Sequence, residues 1–286
     1  MNLKSHSSQL EPKSSTGFTL TELIMALAAL AILALTILPA LARTQPNMKA
    51  AQCRHNLKQL ITAWQMYPEE HSGIIVPNYH GSYSPQPALS WAAGWLDWGS
   101  NPDNTNFLYL IDVRYALLAP YLNGASNLFK CPADQYLSSQ QRLRGWTQRV
   151  RSYSANIYIG EGNATQGPTD PIYKQVRKIS EFLYPTPAEA WTYVDEHPDS
   201  LNDPAFFSPN QTSWIDIPAT YHDGGVVLAF SDGHTEDHKW RGSLAKGRAA
   251  RVSRVDYINT GIIAPAGDPD IGWMSYHTPR VSSQSY

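Results

Sequence analysis

The sequence predicts an α+β protein: a long N-terminal helix, transmembrane in its first half and amphipathic in its second, packed on an antiparallel β-sheet head with long loops. Three observations predict it. Residues 23–42 form a run of 20 residues without a single charge. Apolar residues then recur at helical spacing as far as Tyr67. Beyond Pro68 the apolar runs shorten and Pro and Gly are scattered throughout, the pattern of short strands and turns. The 286 residues suffice for one large domain or two. With 9 Trp and 16 Tyr the chain has the means to bury a core, which excludes a disordered protein. A net charge of −2 gives no sign of a nucleic-acid coat. Two cysteines exclude a disulfide-dense miniprotein and a four-cysteine zinc site.

Each element follows from local chemistry. Segment 1–17 is polar, with Lys4, Lys13 and one acid, Glu11. The apolar run corresponds to about 30 Å of helix, the thickness of a bilayer's hydrocarbon core, and Arg43 ends it. Buried core helices are seldom so long. A secretory signal is disfavoured because no small-x-small site followed by a clear polar break appears until Ala40-Leu41-Ala42, after an unusually long apolar run. In 43–67, Cys53, Leu57, Leu60, Ile61, Trp64 and Tyr67 share one face, and Arg54, Lys58 and Gln59 lie elsewhere. The reading is one helix over 18–67, bent at Pro39 and stopped by Pro68 and Gly73, with two helices broken at 44–47 as the alternative. In the head, 152–159, 190–194, 226–231 and 234–240 read as strands, 111–122 as a short helix, 163–171 and 197–218 as loops, and 275–286 as a polar tail. Asp232-Gly233 reads as a two-residue hairpin turn.

The residues Gly17-Phe18-Thr19-Leu20-Thr21-Glu22-Leu23 resemble the processing site of type IV prepilins and type II secretion pseudopilins. A short basic leader, Gly before the cut, Phe after it and Glu four residues further on carry the resemblance. It implies that a prepilin peptidase cuts between Gly17 and Phe18 and N-methylates Phe18. The implied organisation is a leader (1–17), a transmembrane and fibre-core helix (18–42), its amphipathic extension (43–67) and an outward-facing head (68–286). Glu22 fits this on physical grounds. A carboxylate at the membrane centre costs at least about 2.5–3.5 kcal/mol, and less near a helix start. The resemblance supplies its cation, the Phe18 α-amine of a neighbouring subunit. Counting cations does not place the leader in the cytoplasm, since Lys4 and Lys13 face Arg43, Lys49, Arg54 and Lys58 across the run. The processing motif does: a single-pass inner-membrane protein, leader inside and head in the periplasm.

His222 precedes Asp232-Gly233 with nine residues between. This is similar to the His-x9-Asp-Gly signature of a large prepilin-like family with an extended C-terminal head. Cys53-x-x-Asn56-Leu57-Lys58-Gln59-Leu60, Tyr67…Gly73, Pro120-Tyr121-Leu122 and Lys130-Cys131-Pro132-Ala133-Asp134 resemble further blocks of it. The resemblance implies a structural subunit, not an enzyme, assembled into a pseudopilus or pilus of a type II secretion-like system. Its implied partners are prepilin peptidase, other pilin-like subunits, the inner-membrane assembly machinery and the lipid bilayer, with no specific nucleic acid. The alternative is a membrane-anchored envelope-binding module that does not polymerise. Trp91, Trp95 and Trp98 near Asp97 would then stack a sugar, although core filling is the favoured reading of that cluster.

The implied topology puts Cys53 and Cys131 in a compartment where disulfides persist, which makes them a candidate pair. Two buried thiols, or pairing between subunits, remain open. No cofactor or metal site is assigned. The alternatives are a surface metal on His234, Glu236 and His238, which share one face of a strand, and calcium at Asn101-Pro102-Asp103-Asn104-Thr105-Asn106 or Asp268-Pro269-Asp270. Neither calcium candidate has the EF-hand spacing. No nucleophile elbow, phosphate-binding loop, dinucleotide fingerprint or HExxH occurs.

Overall fold

The structure, a computed structural model, describes residues 17, 19–81, 88–162, 170–245, 252 and 262–283, without the side chains of 36–47 and 262. Leader residues 1–16, Phe18 and most of the loop 163–171 lie outside the described residues, as do the side chains around Pro39, where the sequence places a bend. The chain divides into two units, 1–45 and 46–286.

Helix α1 (Leu20–Glu70) begins in the first unit. There Leu20, Leu23, Ile24, Met25, Leu27, Leu30, Ile32, Leu33 and Leu35 are all exposed. Among the described residues no helix is long and apolar enough to cross a membrane. The described side chains end at Leu35, inside the apolar run 23–42.

The second unit contains the rest of α1. Pro68 falls within the last turn rather than stopping the helix. Gly73, at φ +78°, closes the end by donating its N–H to the Pro68 carbonyl at 2.8 Å. Cys53, Leu57, Leu60, Ile61 and Trp64 are buried as their spacing predicts. They form one core with Tyr153, Ala155, Tyr193, Val227 and Ala229 of the sheet. Each such large apolar side chain contributes about 1.5–3 kcal/mol on burial.

The strands are β1 (Tyr153–Asn156), β2 (Trp191–Asp195), β3 (Ala205–Phe206), β4 (Ser213–Trp214), β5 (Gly225–Phe230), β6 (Thr235–Lys239) and β7 (Ile262–Ile263). A five-stranded sheet runs β3-β1-β2-β5-β6, and β4 pairs with β7. The pairs β1–β2, β2–β5 and β5–β6 are antiparallel as expected, whereas β3 pairs parallel to β1. Period-two alternation divides β5. Val227 and Ala229 face the α1 core, while Val226, Leu228 and Phe230 belong to a second core with Trp214, Trp240, Ile271 and Met274.

Several local expectations are corrected. The helix expected over 111–122 is α2 (Leu108–Ile111), followed by turns and a 3₁₀ turn at Ala119–Tyr121. Asp112 accepts the Arg114 N–H at 2.9 Å, a local bond that competes with helical pairing. A second short helix, α3 (Ser139–Leu143), opens with a capping box from Ser138 and Gln141. The stretch 197–218 is not all loop, since it holds β3 and β4. The tail begins with the last turn of α4 (Pro269–Tyr276), whose signal was Asp268 as N-cap with Pro269 after it. The hairpin turn has three residues. Phe230 donates to the His234 carbonyl at 2.9 Å, leaving Ser231, Asp232 and Gly233 as the loop, with Gly233 at φ +95°.

Candidate functional site

At the N-terminal end Gly17 is exposed and precedes the start of α1. Thr19 and Glu22 form a reciprocal cap. The Thr19 N–H donates to Glu22 Oε2 at 2.8 Å and the Glu22 N–H donates to Thr19 Oγ1 at 3.3 Å. Glu22 itself is exposed, so its carboxylate satisfies the helix start and remains accessible. Phe18, the expected methylation site, lies outside the described residues.

The residues of the His-x9-Asp-Gly phrase sit at opposite ends of β5, and both ends meet α1. At one end Lys58 Nζ donates to the Gly233 carbonyl at 2.6 Å, and Gln65 Nε2 donates to the Ser231 carbonyl at 3.2 Å. At the other, His222 reaches the neighbourhood of Cys53. The nine-residue spacing has a geometric reason. A six-residue strand spans about 20 Å, and the twelve helical steps from Cys53 to Gln65 span about 18 Å. One strand length therefore matches one stretch of α1. Asp232 accepts the His234 N–H at 3.0 Å and shapes the turn.

Asn56 ties the loop carrying Cys131 to the same helix. It is buried, and its Nδ2 donates to the Lys130 carbonyl at 2.9 Å. Asp134 anchors that loop from the other side, with Lys130 Nζ at 3.6 Å and Arg149 at 4.0 Å. Lys58 and Asn56 come from one sequence block and Cys131 and Asp134 from another. The blocks converge because α1 is the surface on which both are laid.

Cys53 and Cys131 do meet, as free buried thiols. Asp195, which sequence reasoning missed, and His222 join them. The sulfur atoms, an Asp195 oxygen and a His222 nitrogen all lie within 4.8 Å of one another. Cys131 Sγ is 3.3 Å from His222 Nε2, Cys53 Sγ is 3.8 Å from Asp195 Oδ2, and His222 Nε2 is 3.9 Å from the same carboxylate oxygen. Burial pushes the Cys131 thiol and the Asp195 carboxyl well above their ordinary values, and holds His222 down at about 4. Burial thus disfavours the charged form of each of these groups. Asp195 gives no sequence signal beyond closing an apolar strand.

The other candidates are explained by packing. Trp91 and Trp98 are buried, with the Arg149 guanidinium 4.2 Å from the Trp98 ring centroid, so core filling accounts for them. His234 precedes β6 and stacks on Phe230 at 4.3 Å, whereas His238 stacks on Trp273 at 3.7 Å. The carboxylates of the proposed calcium stretches bind backbone amides. Asp103 accepts from Trp95 at 2.9 Å, Asp268 from Ser243 at 2.7 Å and Asp270 from Arg241 at 2.7 Å.

Residues 12–38 match the family model described as a prokaryotic N-terminal methylation motif. The match covers Gly17, Phe18, Glu22 and most of the apolar run, and supports a prepilin-like protein processed by prepilin peptidase. No curated protein and no solved structure matches the chain.

Proposed function

We propose that the chain is a prepilin-like structural subunit that is cleaved between Gly17 and Phe18, N-methylated on Phe18, and assembled into a pseudopilus or pilus of a type II secretion-like system. One observation carries the reading: the methylation-motif match directly precedes and enters an uncharged helical run. The exposed leucines and isoleucines of 20–35 support it, because an apolar surface of that extent calls for lipid or neighbouring helices. In this reading residues 18–42 anchor the chain in the inner membrane and then form the fibre core. The head, 68–286, lies in the periplasm. Prepilin peptidase and other pilin-like subunits are the partners, and no catalytic role is assigned. Trp91 and Trp98 are buried and Trp95 is half-buried, so two of the three rings of that cluster are not presented as a glycan-stacking platform.

N-terminal sequencing of protein coexpressed with a prepilin peptidase tests the reading. The mature chain is expected to begin at N-methylated Phe18, and Gly17→Val is expected to stay uncut. A mature protein that retains Met1, or a Gly17→Val variant processed normally, would remove it.

A further inference from the structure

We propose that Cys53, Cys131, Asp195 and His222 form a structural zinc site that fastens α1 to the head. The donors come from four separate places: α1, the loop after the 3₁₀ turn Ser126–Phe129, the end of β2, and the turn before β5. All four are buried and their ligand atoms face one point. In a tetrahedral zinc site with these donors the ligand–ligand edges are about 3.3–3.8 Å, from bond lengths of roughly 2.0–2.3 Å. Three of the six edges, at 3.3, 3.8 and 3.9 Å, are close to that before any ion draws the ligands in, and all six are within 4.8 Å. Two thiolates with an imidazole select zinc over magnesium or calcium, which prefer all-oxygen shells.

Two competing arrangements account for less of the geometry. A Cys–His–Asp catalytic relay needs the carboxylate on one imidazole nitrogen and the thiol on the other. Here Cys131 Sγ and Asp195 Oδ2 both approach His222 Nε2. A Cys53–Cys131 disulfide would use the two sulfurs and leave the carboxylate and imidazole converging on nothing.

The surroundings complete the site. The Tyr153 hydroxyl donates to Cys53 Sγ at 3.2 Å and the Ala133 N–H to Cys131 Sγ at 3.4 Å, the outer hydrogen bonds that steady thiolate ligands. Of the four donors His222 lines a cleft of about 320 Å³, together with Ala50, Arg54, Asp223 and Asp237. Zinc enters as the dication, and the two thiol protons and the proton of the Asp195 carboxyl leave to solvent. Asp195 binds as carboxylate and His222 through Nε2. No electron is transferred.

The proposal is independent of processing at Gly17, which is read separately. Full-length protein, isolated in detergent without chelators or reductants, is expected to carry about one zinc per chain by elemental analysis. Cys53→Ser and His222→Ala are expected to lower this at least tenfold, while Asp237→Asn, on the cleft but outside the four donors, keeps it. Cobalt(II) in place of zinc is expected to give a thiolate charge-transfer band that the Cys variants weaken. Should those variants fail to fold, the wild type still decides: chelation is expected to lower its melting temperature and added zinc to restore it. The idea is overturned by a Cys53–Cys131 disulfide in the isolated protein with no zinc, by zinc content unchanged in Cys53→Ser, or by a melting temperature insensitive to both chelator and zinc.

Discussion

Lys58 on α1 donates to the main-chain carbonyl of Gly233 at 2.6 Å, so the tip of the β5–β6 hairpin rests on the helix. Gly233 is at φ +95°, and a Cβ there would lie 2.6 Å from the Gln65 side-chain oxygen. The turn thus requires glycine twice, for its backbone conformation and for its approach to α1. Gly233→Ala is expected to cost about 1–3 kcal/mol, from left-handed strain and displacement of Gln65. Thermal melting of the purified protein should show a drop of several degrees, with cleavage at Gly17 unchanged. A melting curve superimposable on wild type would mean that the hairpin tip is not seated on α1.

Asn56 holds the Cys131 loop from within the helix. In Asn56→Ala the Lys130 carbonyl loses its buried donor, at an expected cost of about 1–3 kcal/mol. Denaturant titration is the measurement, with the midpoint expected to fall and the slope to hold. Limited proteolysis should also cut sooner in the loop after Phe129. An unchanged midpoint would assign that carbonyl another donor.

Glu22 has two separable tasks, capping its own helix through Thr19 and, in the proposed fibre, pairing with a neighbour's Phe18 amine. A glutamine keeps the capping geometry and removes the charge. Both Glu22→Gln and Glu22→Ala are expected to be cleaved and to stay in the membrane fraction, and both to be poorly incorporated into fibres. Rescue by glutamine would show that the cap matters and the ion pair does not.

His238 stacks on one side of Trp273 and His277 lies 4.1 Å from the same ring. Burial, with repulsion from His277 and Arg241, lowers His238 to about 4 from the ordinary 6.5. Between those two values the unfolded chain binds the extra proton and the folded chain resists it. Stability from this group is therefore complete above about pH 6.5 and is lost as the pH falls toward 4. The buried carboxyls of Glu196 and Asp216 are raised by burial and act with the opposite sign, so a single-protein profile mixes the effects. The variant comparison separates them. Between pH 7 and 4.5 the melting temperature of His238→Gln is expected to fall less than that of wild type, and parallel profiles would show that His238 stays solvated.

Much of this architecture is legible in the chain because it is local. The α1 face formed by Cys53, Leu57, Leu60, Ile61 and Trp64 follows from 3.6-residue periodicity, and β2, β5 and β6 from short runs bounded by turn residues. Gly17, Phe18 and Glu22 are recognisable because processing reads a contiguous stretch. The short strands β3 and β4 escape such reading, since two residues carry no period and are strands only because a partner strand pairs with them. The site at α1 escapes it for a related reason. Cys53 and Asp195 are 142 residues apart, and Cys131 and His222 are 91 apart. No spacing rule spans such distances. The sequence by itself determined a long N-terminal helix, a methylation-motif stretch and a head built on a sheet. Only the tertiary structure decided that two cysteines, an aspartate and a histidine share one buried point, because that depends on which face of α1 the sheet covers and where β2 and β5 end along it.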